Sequence, residues 1–254
     1  MAIDVTHRFA DRVDNYVKYR PHYPKEMFSF LLSENIVNAN SVIADIGSGT
    51  GISTEPFLQM DLKVFAVEPN KEMREAAEKL FSSNNNFVSL DASAEHTTLE
   101  DRSVDVVLAG QAFHWFDKEK AKQEFKRILK PNGYVVLMWN DRRTNSTDFL
   151  RSYEDFLQAC AIDYKQVNHK NTQDKAIFNS FFGENNYQEK WFDNFQEVDY
   201  TGLKGRVLSS SYMPNEGHKD FDHMMYCLKK VFARYQQNNK VRLDYETKIY
   251  YGQK

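Results

Sequence analysis

The sequence predicts an α/β fold: an open, mostly parallel sheet with helices on both faces. Three observations carry the prediction. A short apolar strand runs straight into a glycine-rich loop across 42–54. Strand-like and helix-like patterns then alternate in a βαβ rhythm as far as Trp139. Polar residues follow successive strands at Glu68, Asp91 and Gln111, the carboxyl ends where open α/β sheets place ligands.

Residues 5–19 place Phe9, Val13, Tyr16 and Val17 at helical spacing, and Pro21 and Pro24 stop that helix and start another through Phe28, Leu31 and Leu32. Residues 1–34 are expected to form a helical lid over the ligand edge of the sheet. A core over 35–140 follows. Its first strand starts at Val42, and others are expected at 63–67, 87–90 and 103–110. An amphipathic helix over 118–129, a Lys130-Pro131-Asn132-Gly133 turn and a fifth strand over 134–139 close it. From 141 to 189 the rhythm breaks. Helices over 148–161 and 175–182 carry Phe149, Tyr153, Phe156, Leu157, Phe178, Phe181 and Phe182, and the stretch reads as an inserted helical cap. Strands at 190–200 and 242–251, with helices at 202–211 and 218–237, are expected to complete the sheet over 190–254. The whole of 1–254 reads as one domain.

Gly47, Gly49 and Gly51 let the loop turn at positive φ and bring peptide N–H groups close to a ligand just before a helix begins, whose positive end favours an anion. A dinucleotide fingerprint G-x-G-x-x-G would need its third glycine at Ile52, and no Gly-Lys-Ser/Thr follows to make a phosphate-binding loop. Glu68 ends the second strand, where a carboxylate can accept both hydroxyls of a ribose lying beside the loop.

Asp45, Gly47, Gly49 and Gly51 spell acid-x-Gly-x-Gly-x-Gly, with Glu68 at the end of the next strand. In these residues the chain resembles the class I S-adenosylmethionine (SAM)-dependent methyltransferases. The resemblance implies a Rossmann-like fold with a seven-stranded sheet, SAM as cofactor, S-adenosylhomocysteine (SAH) as product, and no metal. It implies a cofactor site made by Asp45, Gly47, Ser48, Gly49 and Gly51 of the loop and by Glu68 and Pro69 after the second strand. Asp91 or Ser93, with Ala94, would serve the adenine; Gln111 follows the fourth strand, and Tyr16 and Arg20 come from the lid.

Gln111-Ala112-Phe113-His114-Trp115-Phe116, together with Tyr16 and Tyr19-Arg20-Pro21-His22-Tyr23-Pro24, is similar to the small-molecule methyltransferases that include trans-aconitate methyltransferase. That likeness implies a small acceptor, a carboxylate being one case, in a pocket walled by Tyr23, Phe113, His114, Trp115 and Arg142. An ionised carboxylate needs no base. For a hydroxyl or amine His114 is the first candidate to take the proton, against the plainer reading of a packed ring with one hydrogen bond. Arg20 could pair with a surface carboxylate or hold an anionic substrate bidentately; Arg142, Arg143 and Arg206 are less specific candidates for the same work. The alternatives are a methyltransferase acting on tRNA or protein and a non-catalytic SAM-binding subunit.

Composition narrows the partners. A chain of 254 residues, 41% hydrophobic, holds one α/β domain with some elaboration. A net charge of -3 offers no general attraction to a polyanion, which disfavours nucleic acid. Two cysteines, Cys160 and Cys227, are too few for a disulfide framework or a thiolate metal site. The start carries no apolar signal segment and no run is long enough to span a bilayer, so the expectation is a soluble, cytoplasmic protein.

Overall fold

The structure, a computed structural model, describes residues 12–164 and 175–254. Phe9 and the first half of the helix expected over 5–19 lie outside them. Mostly apolar runs form the parallel strands, as burial on both faces requires for all but the half-buried edge strand. These are β1 (Val42–Ile46), β2 (Lys63–Val67), β3 (Phe87–Leu90), β4 (Val104–Gly110) and β5 (Leu129–Arg142), all parallel. β7 (Val241–Gln253) runs antiparallel between β5 and the edge strand β6 (Gln188–Val198). The described residues thus form one seven-stranded sheet in the order β3-β2-β1-β4-β5-β7-β6, the mostly parallel sheet that the sequence predicts.

Alternate side chains of the same strands feed two cores. Ala44, Ile46, Val107, Ala109, Leu137 and Trp139 face α5 (Lys118–Ile128) and α7 (Lys175–Phe182). Ile43, Val64, Val106, Leu108, Val136 and Met138 face α2 (Lys25–Ser33) and α3 (Glu55–Gln59). A third core lies beyond the sheet's carboxyl edge. β5 and β7 stop pairing at Arg142↔Tyr245, while β6 and β7 run on together to Val198↔Val241. This two-stranded overhang presents Val198, Val241, Leu243 and Tyr245 to α6 (Asp148–Cys160), α8 (Tyr200–Leu208) and α9 (Phe221–Tyr235). Thr147 and Asp199 cap α6 and α8 by accepting from the Leu150 and Gly202 amides, satisfying N–H groups that a helix start leaves open.

Residues 141–189, expected as one cap, lie in two places. α6 joins the third core, whereas α7 packs on the α5 face of the sheet, where Phe178 stacks on Tyr250 with ring centroids 4.1 Å apart. Two other expectations are corrected. The helix after the glycine loop, α3, has only 5 residues, so its dipole contributes little, and the amides of Gly47, Ser48, Gly49 and Gly51 donate within the protein. The 130–133 turn falls inside β5: Leu129 pairs with Val104 and Tyr134 with Val106, so the intervening residues bulge out, with Asn132 at φ 64.

The N-terminal segment is strapped to the third core. Arg12 Nη1 donates to Leu208 O (3.0 Å) and Ser210 O (2.6 Å), and its Nη2 to Met213 O (2.8 Å). These carbonyls lie at and beyond the end of α8, where helix C=O groups lack intrahelical partners. α1 (Val13–Tyr19) then lays the Tyr19 ring against Gly205 so closely that a Cβ there would overlap it. Asn140 Nδ2 fixes the chain that follows, donating to Pro21 O and His22 O at 3.3 Å each. Among the described residues no helix is long and apolar enough to cross a membrane.

Candidate active site

The glycine loop is held from beneath and from one side. Gly47 N and Ser48 N donate to Val67 O at the end of β2 (2.8 and 3.2 Å), and Gly47 sits at φ 69, which its lack of a Cβ permits. Asp45 lies fully buried under the loop, with one oxygen accepting from Ser53 Oγ and Thr54 Oγ1, both at 2.7 Å. Its other oxygen, Oδ1, is buried with no protein donor. Burial pushes the Asp45 pKa up to about 6 against the opposing pull of the two hydroxyls.

Glu68 closes the loop from β2. Its Oε2 accepts from Gly49 N and its Oε1 from Asn70 N, each at 2.8 Å. Burial raises its pKa, and those two amide bonds hold it down. Arg74, on α4 (Lys71–Leu80), donates to Glu68 O and to Asp91 Oδ2, both at 2.9 Å, so one guanidinium ties together the ends of β2 and β3. After β4 the backbone turns at Gln111, φ 57, whose N–H donates to Met138 O (2.9 Å) and whose side chain donates to Asn140 O (3.2 Å).

A cavity of about 280 Å³ opens between the loop, the N-terminal segment and the third core. Eleven of the sequence-predicted residues line it: Tyr16, Arg20, Tyr23, Gly47, Ser48, Gly49, Gln111, His114, Trp115, Arg142 and Arg206. The others stand back. Gly51 faces the Phe81 ring, Pro69 is exposed, Asp91 is exposed and paired with Arg74, Ser93 bridges to His96, and Ala94 is buried.

Phe113 is corrected from pocket wall to core. A single 3-10 turn over Phe113–Trp115 swings its ring onto the α5 face, fully buried with Phe181 at 4.8 Å and Trp139 at 6.3 Å between centroids. The same turn aims His114 and Trp115 at the cavity, their rings 4.6 Å apart. Arg142 reaches the cavity already paired: its Nη2 bonds Glu154, whose carboxylate also accepts from Tyr164 OH at 3.0 Å. Arg143 points elsewhere, to Asp193 at 2.6 Å. Glu154, Tyr164, Tyr212 and Asn140 line the cavity without having been foreseen. Glu154 sits beside the Phe149–Tyr153–Phe156 stripe of α6, where the sequence pattern marks only solvent exposure.

A seven-stranded sheet in this order, with a glycine loop after β1 and an acid at the end of β2, defines the class I methyltransferase fold. Comparison with known proteins carries this to the sequence. Residues 44–137 match the family model described as a methyltransferase domain. An uncharacterized methyltransferase of Schizosaccharomyces pombe is 37% identical over 153 residues, 60% of this chain and 59% of its own. One from Mycobacterium tuberculosis is 37% identical over 139 residues, 55% of this chain and 54% of its own. The chain therefore spans little more than half the length of these curated relatives. Among solved structures, a provisionally assigned type II methyltransferase from Anaeromyxobacter dehalogenans superimposes with a TM-score of 0.63 at 18% identity, covering 92% of this chain and 98% of that one. The YcgJ protein of Bacillus subtilis gives 0.57 at 17% identity, covering 91% and 99%.

Proposed function

We propose that this chain is a SAM-dependent methyltransferase acting on a small, carboxylate-bearing acceptor. The observation that carries the reading is Glu68, whose two oxygens sit on the amides of Gly49 and Asn70 beside the glycine loop, within the stretch that matches the methyltransferase domain. The residues present fit the cofactor. Gly49 has open space where a Cβ would stand, each Glu68 oxygen keeps a lone pair for a ribose hydroxyl, and Asp45 Oδ1 has no protein donor. Glu68 would hold the ribose, the 91–94 turn the adenine, and Tyr16 and Arg20 the amino-acid end. When bound, SAM supplies a methyl group on a sulfonium, an electrophile that needs no activation.

This chain's own contribution is orientation. Gln111, His114 and Trp115 at the end of β4 would face the acceptor across the loop, with Arg206 of α8, Tyr212 of the third core and Tyr16 of α1 on the other walls of the cavity. A carboxylate acceptor attacks in its ionised form, with no proton to move. For a hydroxyl or amine, His114 is the cavity-lining imidazole positioned to take the proton. The cavity of about 280 Å³ suits a metabolite rather than a macromolecule, and the net charge of -3 gives nucleic acid no general attraction.

Calorimetric titration with SAH tests the cofactor site. Wild type should bind in the micromolar range, and Glu68→Ala should lose roughly tenfold or more through two lost charge-assisted hydrogen bonds. No binding to wild type would sink the methyltransferase reading.

A further inference from the structure

Among the described residues three arginines line the cavity, and one of them has a carboxylate partner. Arg142 has Glu154. Arg206, from α8, has hydroxyls alone: Nη1 donates to Ser210 Oγ at 3.1 Å and Nε to Tyr245 OH at 3.4 Å. Arg20 lies over the Tyr16 ring at 4.7 Å, donates from Nη2 to Ser209 O at 2.8 Å, and keeps its Nε buried with no partner. Burial, and then the charge of Arg206, lower the Arg20 pKa, so the two guanidiniums feel one another.

Two buried cations in one cavity, with Glu154 already paired to Arg142, are costly to fold, because desolvation is not repaid by a counter-ion. The end of α8 offers only about half a negative charge, and Arg12 already occupies its Leu208 and Ser210 carbonyls. The missing negative charge must come from what binds. SAM carries a single carboxylate, enough for one guanidinium. Arg20, beside Tyr16 on the N-terminal segment, is the one assigned to it above.

We infer that Arg206 is the anion anchor of the acceptor, holding a carboxylate on its guanidinium fork at the α8 wall of the cavity. This rests on the methyltransferase reading and adds to it the residue that selects the acceptor by charge. A planar fork matches the two oxygens of a carboxylate, and Ser210 and Tyr245 keep the fork fixed on its far side. A neutral amide of the same shape brings no counter-charge and is rejected.

The test is calorimetry on the SAH-loaded protein with short mono- and dicarboxylic acids and their amides as probes, in wild type, Arg206→Met and Arg206→Lys. At least one acid should bind wild type, with its amide and the Arg206→Met variant each weaker by about thirtyfold or more. Arg206→Lys, which keeps the charge without the fork, should fall between them. Both variants should bind SAH within about threefold of wild type, as expected when a charge pair to a different ligand is removed. Equal binding of the acids to wild type and Arg206→Met, or no acid binding to SAH-loaded wild type, would overturn the anchor. Loss of SAH binding in Arg206→Lys would assign the donor's carboxylate to this residue and overturn it too. Failure of wild type to bind SAH at all counts instead against the methyltransferase reading.

Discussion

Asp45 shows how a single side chain can serve a site at the expense of the fold. Its native pKa of about 6 lies above the ordinary 3.8, so the folded state holds the proton more tightly than the unfolded chain. Stability from this group is fully present below about pH 4 and is lost as pH rises through 6. About two pKa units at about 1.4 kcal/mol each put the loss near 3 kcal/mol. Asp45→Asn removes the titration. Its unfolding free energy relative to wild type should rise between pH 4 and 6 and level off above, as measured by urea denaturation; a difference that is flat with pH would refute the assignment. The glycines, Asp45, Glu68 and Gln111 were legible because their spacing is fixed to strand ends. Phe113 was not, because one 3-10 turn decides which of three consecutive aromatic rings faces the cavity, and no periodicity spans so short a piece. Asp91 is a candidate adenine ligand from sequence, and its contact with Arg74 of α4 is one that only the packed helix brings about.

At the scale of elements, the seat of α1 on α8 decides whether the cavity has a roof. Gly205 leaves no room for a methyl group beneath Tyr19, and Arg12 and Arg20 add hydrogen bonds on the same side. Gly205→Ala should cost about 1–3 kcal/mol by overpacking. More tellingly, it should speed amide exchange over 13–20 and weaken SAH binding while α5 and α7 keep wild-type protection. Uniform exchange across the molecule would show that α1 is not a separable element. The helices α2, α5, α6 and α9 could be read from their apolar spacing. For α3 the sequence signals a start but not the early stop at Met60.

For the whole molecule, the parallel strands of the sheet followed from the βαβ rhythm, while the strand order and the destination of the aromatic segment 175–182 did not. Phe178, Phe181 and Phe182 have the spacing of a helix that could cover either a site or a core, and what settles it is the matching aromatic surface of Phe113, Phe125, Trp139 and Tyr250. Phe178→Ala should therefore cost about 3–5 kcal/mol in unfolding free energy. SAH affinity at a temperature where the variant is folded should stay at the wild-type value. A drop in affinity comparable to Glu68→Ala would place α7 over the site after all.

The overhang of β6 and β7 past the end of β5 has a consequence for how the cavity can be altered. The stretch matching the methyltransferase domain stops at residue 137, short of the overhang and of α6, α8 and α9 mounted on it. The sheet thus works like a bench with a cantilever: the bench carries the stretch that matches the family model, and the projecting arm carries one wall of the cavity. Substitutions on that arm should therefore alter the far wall of the cavity while leaving in place the hydrogen bonds that hold the loop to β2.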